Sequence, residues 1–170
     1  MNYREQNNVS DFIAAANRLA KHLRSSPQDR DEWLKQVLVE LSLVYTFAHQ
    51  LPETDCGDPE SDVTDQFDVS LAERNAIASN LTSIFGESRW YACVFPPSEF
   101  PPPDDSVGCG DLADIYGDIV PGLRAWEKNE DRFLPEIIWG WKAVSFKTHW
   151  GVHATQAMSI LHWVAFDKGL

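Results

Sequence analysis

Basic residues are scarce. Against 26 aspartates and glutamates stand 14 lysines and arginines, leaving a formal net charge of -12. No run of lysine or arginine gathers into a patch, so phosphate backbones and anionic lipid headgroups are repelled, and nucleic acid and membrane surfaces are excluded as partners. Cysteine is scarce too. Cys56, Cys93 and Cys109 are odd in number and lack C-x-x-C spacing, which fits neither a disulfide framework nor a zinc ribbon. Reduced thiols in a cytoplasm are the expectation. The opening MNYREQNNVSDF has no cationic head followed by an apolar run, so no secretory signal is read there. There is no G-x-S-x-G elbow and no phosphate-binding loop. Gly108, Gly110 and Ala113 imitate a dinucleotide fingerprint, but a proline-rich acidic stretch precedes them where a strand is required, and Asp111 would repel a pyrophosphate.

What the chain has instead is tryptophan, and residues 133–166 carry four of the seven. Trp139, Ala143, Phe146, Trp150, Ala157, Ile160 and Val164 form one stripe at helical spacing, and Ile137, Trp141, Val144 and Met158 form a second. A helix apolar on several faces is a buried central helix. Each indole hides roughly 150–250 Å², which at about 25 cal/mol/Å² is an upper bound of several kcal/mol apiece. Lys142, Lys147, His149 and Gln156 interrupt the stripes, which argues against a membrane span.

The remaining segments supply partners for that helix. Ser10 and Asp11 read as the start of an amphipathic helix through Phe12, Ile13, Ala16, Leu19, Ala20 and Leu23, ending before Pro27. A second carries Trp33, Leu34, Val37, Leu38, Leu41, Val44, Tyr45 and Ala48 to a break at Pro52, with Asp29, Asp31 and Glu32 at its positive end. The two form a hairpin. Residues 52–70 hold seven acids and no lysine or arginine and read as an acidic loop. The Asp58, Glu60, Asp62 spacing hints at a calcium loop, yet Val63 and Val69 occupy the positions that need glycine and a bidentate glutamate. Ser70 and Glu73 make a capping box for a third helix through Leu71, Ile77, Leu81, Ile84 and Phe85, closed by Gly86. Residues 90–110 hold five prolines interleaved with Trp90, Tyr91, Phe95 and Phe100, an irregular strap across the bundle or a partner-binding edge. A fourth helix from about Gly110 carries Leu112, Ile115, Tyr116, Ile119, Leu123 and Trp126. Pro121 predicts a kink or break in it, eased by glycine at position 117.

The blocks LADIYGDI at residues 112–119 and FKTHWGVHA at residues 146–154, with the Leu161 and His162 pair and the pattern of Tyr91, Val94, Phe95 and Pro96, resemble a bacterial family known as domain of unknown function 5063. The resemblance spans roughly residues 90–162. It implies a small helical domain and brings no activity, cofactor or catalytic residue with it.

One constellation has the spacing of a metal chelate. His149 and His153, four residues apart, lie about 40° apart around a helix and one turn apart along it. Asp111, Asp114 and Asp118 fall within roughly 60° of one another on the fourth helix. If the two helices run antiparallel, imidazoles and carboxylates meet, and zinc, manganese or iron is the ligand such a set takes. Set against this, Asp111 near a helix start is favoured there by capping alone, and a histidine beside tryptophans packs as a side chain whose ring nitrogen has found a partner. His162 faces the other way. No glutamate follows His149, where Trp150 stands, so the pair is not a zinc-protease motif. Cys109 near a helix start is opposed as a reactive thiol by Asp104, Asp105 and Asp111.

The expectation is an all-α single domain over residues 1–170, about five helices around a long buried C-terminal helix, in a cytoplasmic protein. It is read as a non-catalytic module that binds a basic protein through its acidic surface, as adaptor or immunity-like inhibitor, with no cofactor. The alternative is a metal-dependent enzyme or metal-binding protein holding a divalent ion through Asp111, Asp114, Asp118, His149 and His153.

Overall fold

The structure is a computed structural model and describes residues 2–55, 65–86, 90–92, 106–108, 110–128 and 131–166. Its long elements are helical. The first, α1 (Asn7–Arg24), turns into α2 (Arg30–Gln50), and the two pack as the expected hairpin. The start of α1 lies three residues before Ser10, whose hydroxyl donates back to the carbonyl of Asn7 at 2.9 Å instead of capping. Asp29 is the cap of α2, accepting from the amide of Glu32 at 3.0 Å. The connecting turn is fastened from outside: Trp33 Nε1 donates to the carbonyl of His22 at 3.1 Å, and Asn80 Nδ2 donates to that of Ser25 at 2.9 Å.

Asn80 belongs to α3 (Leu71–Phe85), where the Ser70 hydroxyl accepts from the amide of Glu73 at 3.2 Å and Gly86 closes the helix at φ 57°. Leu71, placed in the apolar stripe by its spacing, is 75% exposed. It stands in the first turn, ahead of the residues that reach the core. Two three-residue strands, β1 (Trp90–Ala92) and β2 (Ser106–Gly108), pair antiparallel with Tyr91 opposite Val107, so the proline-rich region opens in extended backbone. Most of that region, with the three cysteines and the middle of the acidic segment, lies outside the described residues.

After β2, α4 (Gly110–Lys128) runs through Pro121 without a break. The expected break does not occur, and the carbonyl that loses its amide donor to Pro121 is that of Gly117. A Cβ at 117 would also lie 3.0 Å from the Arg74 guanidinium.

The last helical body is a continuous run of three pieces, α5 (Leu134–Trp139), a π-helix (Gly140–Trp150) and α6 (Gly151–Phe166), joined at residues with helical dihedrals. Counting α1 to α4 and this run gives the all-α bundle of five helices around a C-terminal core element. The run packs on α2 and α4. Trp141 and Trp150 are among the most completely buried large side chains, and one hydrophobic cluster joins them to residues of α1, α2, α3 and α4. Trp141 stacks near Phe12 and Trp126, with centroids at 5.0 and 6.1 Å, and donates through Nε1 to the Ile119 carbonyl at 3.2 Å.

The two predicted stripes of this run are redrawn. Trp141, Phe146 and Trp150 are buried together, Trp139 is only half-buried, and Val144 and Trp163 are 43% and 45% exposed. The wider π turn is the cause, since its hydrogen bonds close over five residues and shift every side chain relative to a 3.6-residue repeat. The Ser145 hydroxyl follows the same step, donating to the carbonyl of Gly140 at 3.0 Å.

Gly151 makes the return to α6 sterically open. A Cβ there would sit 2.3 Å from the carbonyl oxygen of Phe146. Glycine to alanine inside an ordinary helix is worth roughly 0.5–1 kcal/mol of stabilisation. Here Gly151→Ala is expected to destabilise by about 1–3 kcal/mol, as overpacking does. Urea denaturation gives the sign, and a stabilised variant would refute this account of the junction.

Candidate functional site

Asp111 sits in the first turn of α4 and Asp118 two turns on, while His149 is next to last in the π-helix and His153 lies in the first turn of α6. The helices meet antiparallel. His149 Nδ1 lies 2.6 Å from Asp118 Oδ2, and His153 Nδ1 lies 2.6 Å from Asp111 Oδ1. The two Nε2 atoms face each other at 3.3 Å, with ring planes inclined at 81°. Burial grades across the cluster, from Asp111 with none of its side chain exposed to His149 with 52% exposed.

Four of the five residues singled out from the sequence therefore come together. Asp114, half-buried on the same helix, hydrogen-bonds to neither ring. The roles differ from the expected shared shell of ligands, because each carboxylate holds the Nδ1 side of an imidazole and leaves Nε2 turned inward. An ionised carboxylate only accepts, so each Nδ1 donates and a neutral ring keeps its lone pair on Nε2. Among the described residues no three His, Cys, Asp or Glu side chains are grouped so as to hold a metal ion. His162 stands apart, exposed and against the ring of Phe166 at 5.0 Å.

A second polar group, between α3 and α4, was not legible in the sequence. Glu73, read there as half of a capping box, turns its carboxylate to Arg124, which donates to Oε1 at 2.7 Å and Oε2 at 2.8 Å, and the Tyr116 hydroxyl also donates to Oε1. Arg124 also donates to the carbonyl of Phe67 at 3.2 Å. Its hydrogen bonds hold the Glu73 carboxyl below the ordinary value of 4.5, burial opposes this, and the Tyr116 hydroxyl adds to it. Burial, then the bond to Glu73, pushes Tyr116 up to about 12. Every member has a partner, so the group is a structural clasp.

The acidic segment is tied at both ends. At its start, Lys142 Nζ reaches Glu53 at 2.9 Å, Lys147 Nζ approaches the same carboxylate at 3.8 Å, and the Thr54 hydroxyl donates to the Pro135 carbonyl at 2.8 Å. Hydrogen bonding and charge from Lys142 hold the Glu53 carboxyl below its usual range. At the far end Arg124 takes the carbonyls of Phe67 and Asp68.

An all-α bundle with a carboxylate–imidazole cluster between α4 and the C-terminal run is thus the class of protein that the fold and site define. The chain belongs to the family described as Domain of unknown function (DUF5063), whose model matches residues 3–167 and so takes in the N-terminal half that the sequence blocks did not reach. It is similar in fold to a crystal structure of protein BF1032 from Bacteroides fragilis, with 23% identity, 97% of this chain and 96% of that chain covered, and a TM-score of 0.80. No curated protein matches it. Among the described residues, no helix is long and apolar enough to cross a membrane.

The Glu73 clasp gives a test with a definite sign. A carboxyl held low in the folded state contributes stability above its unfolded value and loses it as pH falls. Arg124→Met is expected to cost about 1–2 kcal/mol at neutral pH, partial exposure screening the rest. The gap between the native chain and this variant should shrink as pH falls below 4.5. Denaturant midpoints between pH 7 and 3 measure it, and a gap that widens in acid contradicts the assignment.

Proposed function

We propose that the chain works by binding, as a cytoplasmic module that receives a basic protein on the acidic segment 52–70, in the manner of an adaptor or an immunity-like inhibitor. The supporting observation is how that segment is mounted. Its first residues are fixed to the C-terminal run through Lys142, Lys147 and Pro135, and its last to α4 through Arg124. Fixing both ends lowers the ordering cost of association. Seven acids within it, with no lysine or arginine in the same stretch, give it a field that draws in a positive surface.

The His149–His153 pair favours a second reading, a metal-binding protein or metal-dependent enzyme built on Asp111, Asp118, His149 and His153, with Asp114 alongside. Recovery of the untagged protein from its own cells, with metal content and co-purifying proteins both measured, separates the two.

The binding reading has its own kinetic signature. With the co-purified partner in hand, replacing the acids of residues 52–70 by their amides should slow association at low salt by about tenfold or more and flatten its dependence on ionic strength. Association rates unchanged by the replacement would refute a docking role for this segment.

A further inference from the structure

We infer that His149 and His153 form a two-nitrogen site for a first-row divalent transition-metal ion, with Asp118 and Asp111 as outer carboxylates that orient the rings. The inference deepens the metal reading above and is independent of the acidic segment, so a failed salt test leaves it standing.

Both Nδ1 atoms are 2.6 Å from carboxylate oxygens, so both carry hydrogen and donate. The two Nε2 atoms face each other across 3.3 Å, and wherever both rings are neutral each presents a lone pair to the other. That arrangement is satisfied by a cation placed between the nitrogens. A proton shared by the rings is one such cation and a metal ion is the other.

The spacing fits a metal. For zinc–nitrogen bonds of about 2.0–2.1 Å at a tetrahedral angle of about 109°, two imidazole nitrogens are separated by about 3.3–3.4 Å. The observed 3.3 Å lies in that range. A carboxylate on the far nitrogen fixes the tautomer and raises the basicity of a metal-binding histidine, and both rings have one. Imidazole nitrogens select zinc, copper, nickel or cobalt over magnesium or calcium, which want oxygen ligands.

The fold also holds the nitrogens together. Asp111 is fully buried and fixes His153, while His149 is carried at the end of the π-helix, one turn before His153. Among the described residues no further His, Cys, Asp or Glu makes this a group of three. The remaining positions on the ion thus fall to water or an exogenous ligand on the exposed side, where His149 is half open to solvent.

The test uses the untagged full chain, stripped with a chelator and titrated with zinc ions against a chromophoric competitor. One zinc per chain is expected. His149→Ala should weaken binding by at least tenfold, and because its ring is half open to solvent the variant should keep its fold, which far-UV circular dichroism checks directly. Asp118→Asn should weaken it about 10–100-fold without touching the ion. His162→Ala, on the same run but away from the pair, should bind as the native chain does. Absence of saturable zinc binding in the native chain would leave the shared proton as the occupant and overturn the proposal. Equal affinity in His149→Ala would overturn it as well, and equal affinity in Asp118→Asn would overturn the role given to the outer carboxylates.

Discussion

Burial of Trp141 and Trp150 is the constraint on which the rest of the bundle depends. Two indoles of this size have to be enclosed from several directions, and their N–H groups need acceptors inside the core. Trp141 meets both demands at once, lying against Phe12 and Trp126 while donating to the Ile119 carbonyl. Trp150 points its Nε1 at the Trp141 carbonyl at 3.4 Å. Those contacts fix the C-terminal run against α1 and α4, and α2 closes the remaining side, with Tyr45 and His49 edge-on to Phe146.

The polar features follow from that packing. Once Trp141, Phe146 and Trp150 share the buried side of the π-helix, Lys142 and Lys147 are left to reach Glu53 at the start of the acidic segment. His149 and, past the junction, His153 are left facing the acids of α4. The antiparallel course of the two helices then pairs the earlier histidine with the later aspartate, and the later histidine with the earlier one. Asp111 is buried with its imidazole partner in place, the condition under which a carboxylate is tolerated away from water.

Much of this was legible from residue spacing. The hairpin of α1 and α2, the cap at Ser70, the closing Gly86 and the start of α4 at Gly110 are local matters, governed by periodicity and by which backbone groups need a partner at a helix end. The α1 start was displaced because a serine was credited with a cap it does not make. The stripes of the C-terminal run were misdrawn because a 3.6-residue repeat was applied across a π-helix, whose extra residue per turn leaves no local signature beyond glycines at 140 and 151. The Glu73 clasp went unseen since Glu73 stands 43 residues from Tyr116 and 51 from Arg124, and no spacing rule relates it to them.

The sequence by itself determined that this chain is an acidic helical bundle centred on its tryptophans, and that His149 with His153 and Asp111 with Asp118 each share a helix face. Composition and periodicity suffice for that, because burial of apolar area and backbone hydrogen bonding are decided within a few turns. Only the tertiary structure decided what those faces meet. The direction of α4 against the C-terminal run, and the register in which they pack, set which nitrogen each carboxylate takes and bring the two Nε2 atoms to 3.3 Å. Such pairings span more than thirty residues and are fixed by the packing of the whole core, which no local pattern encodes.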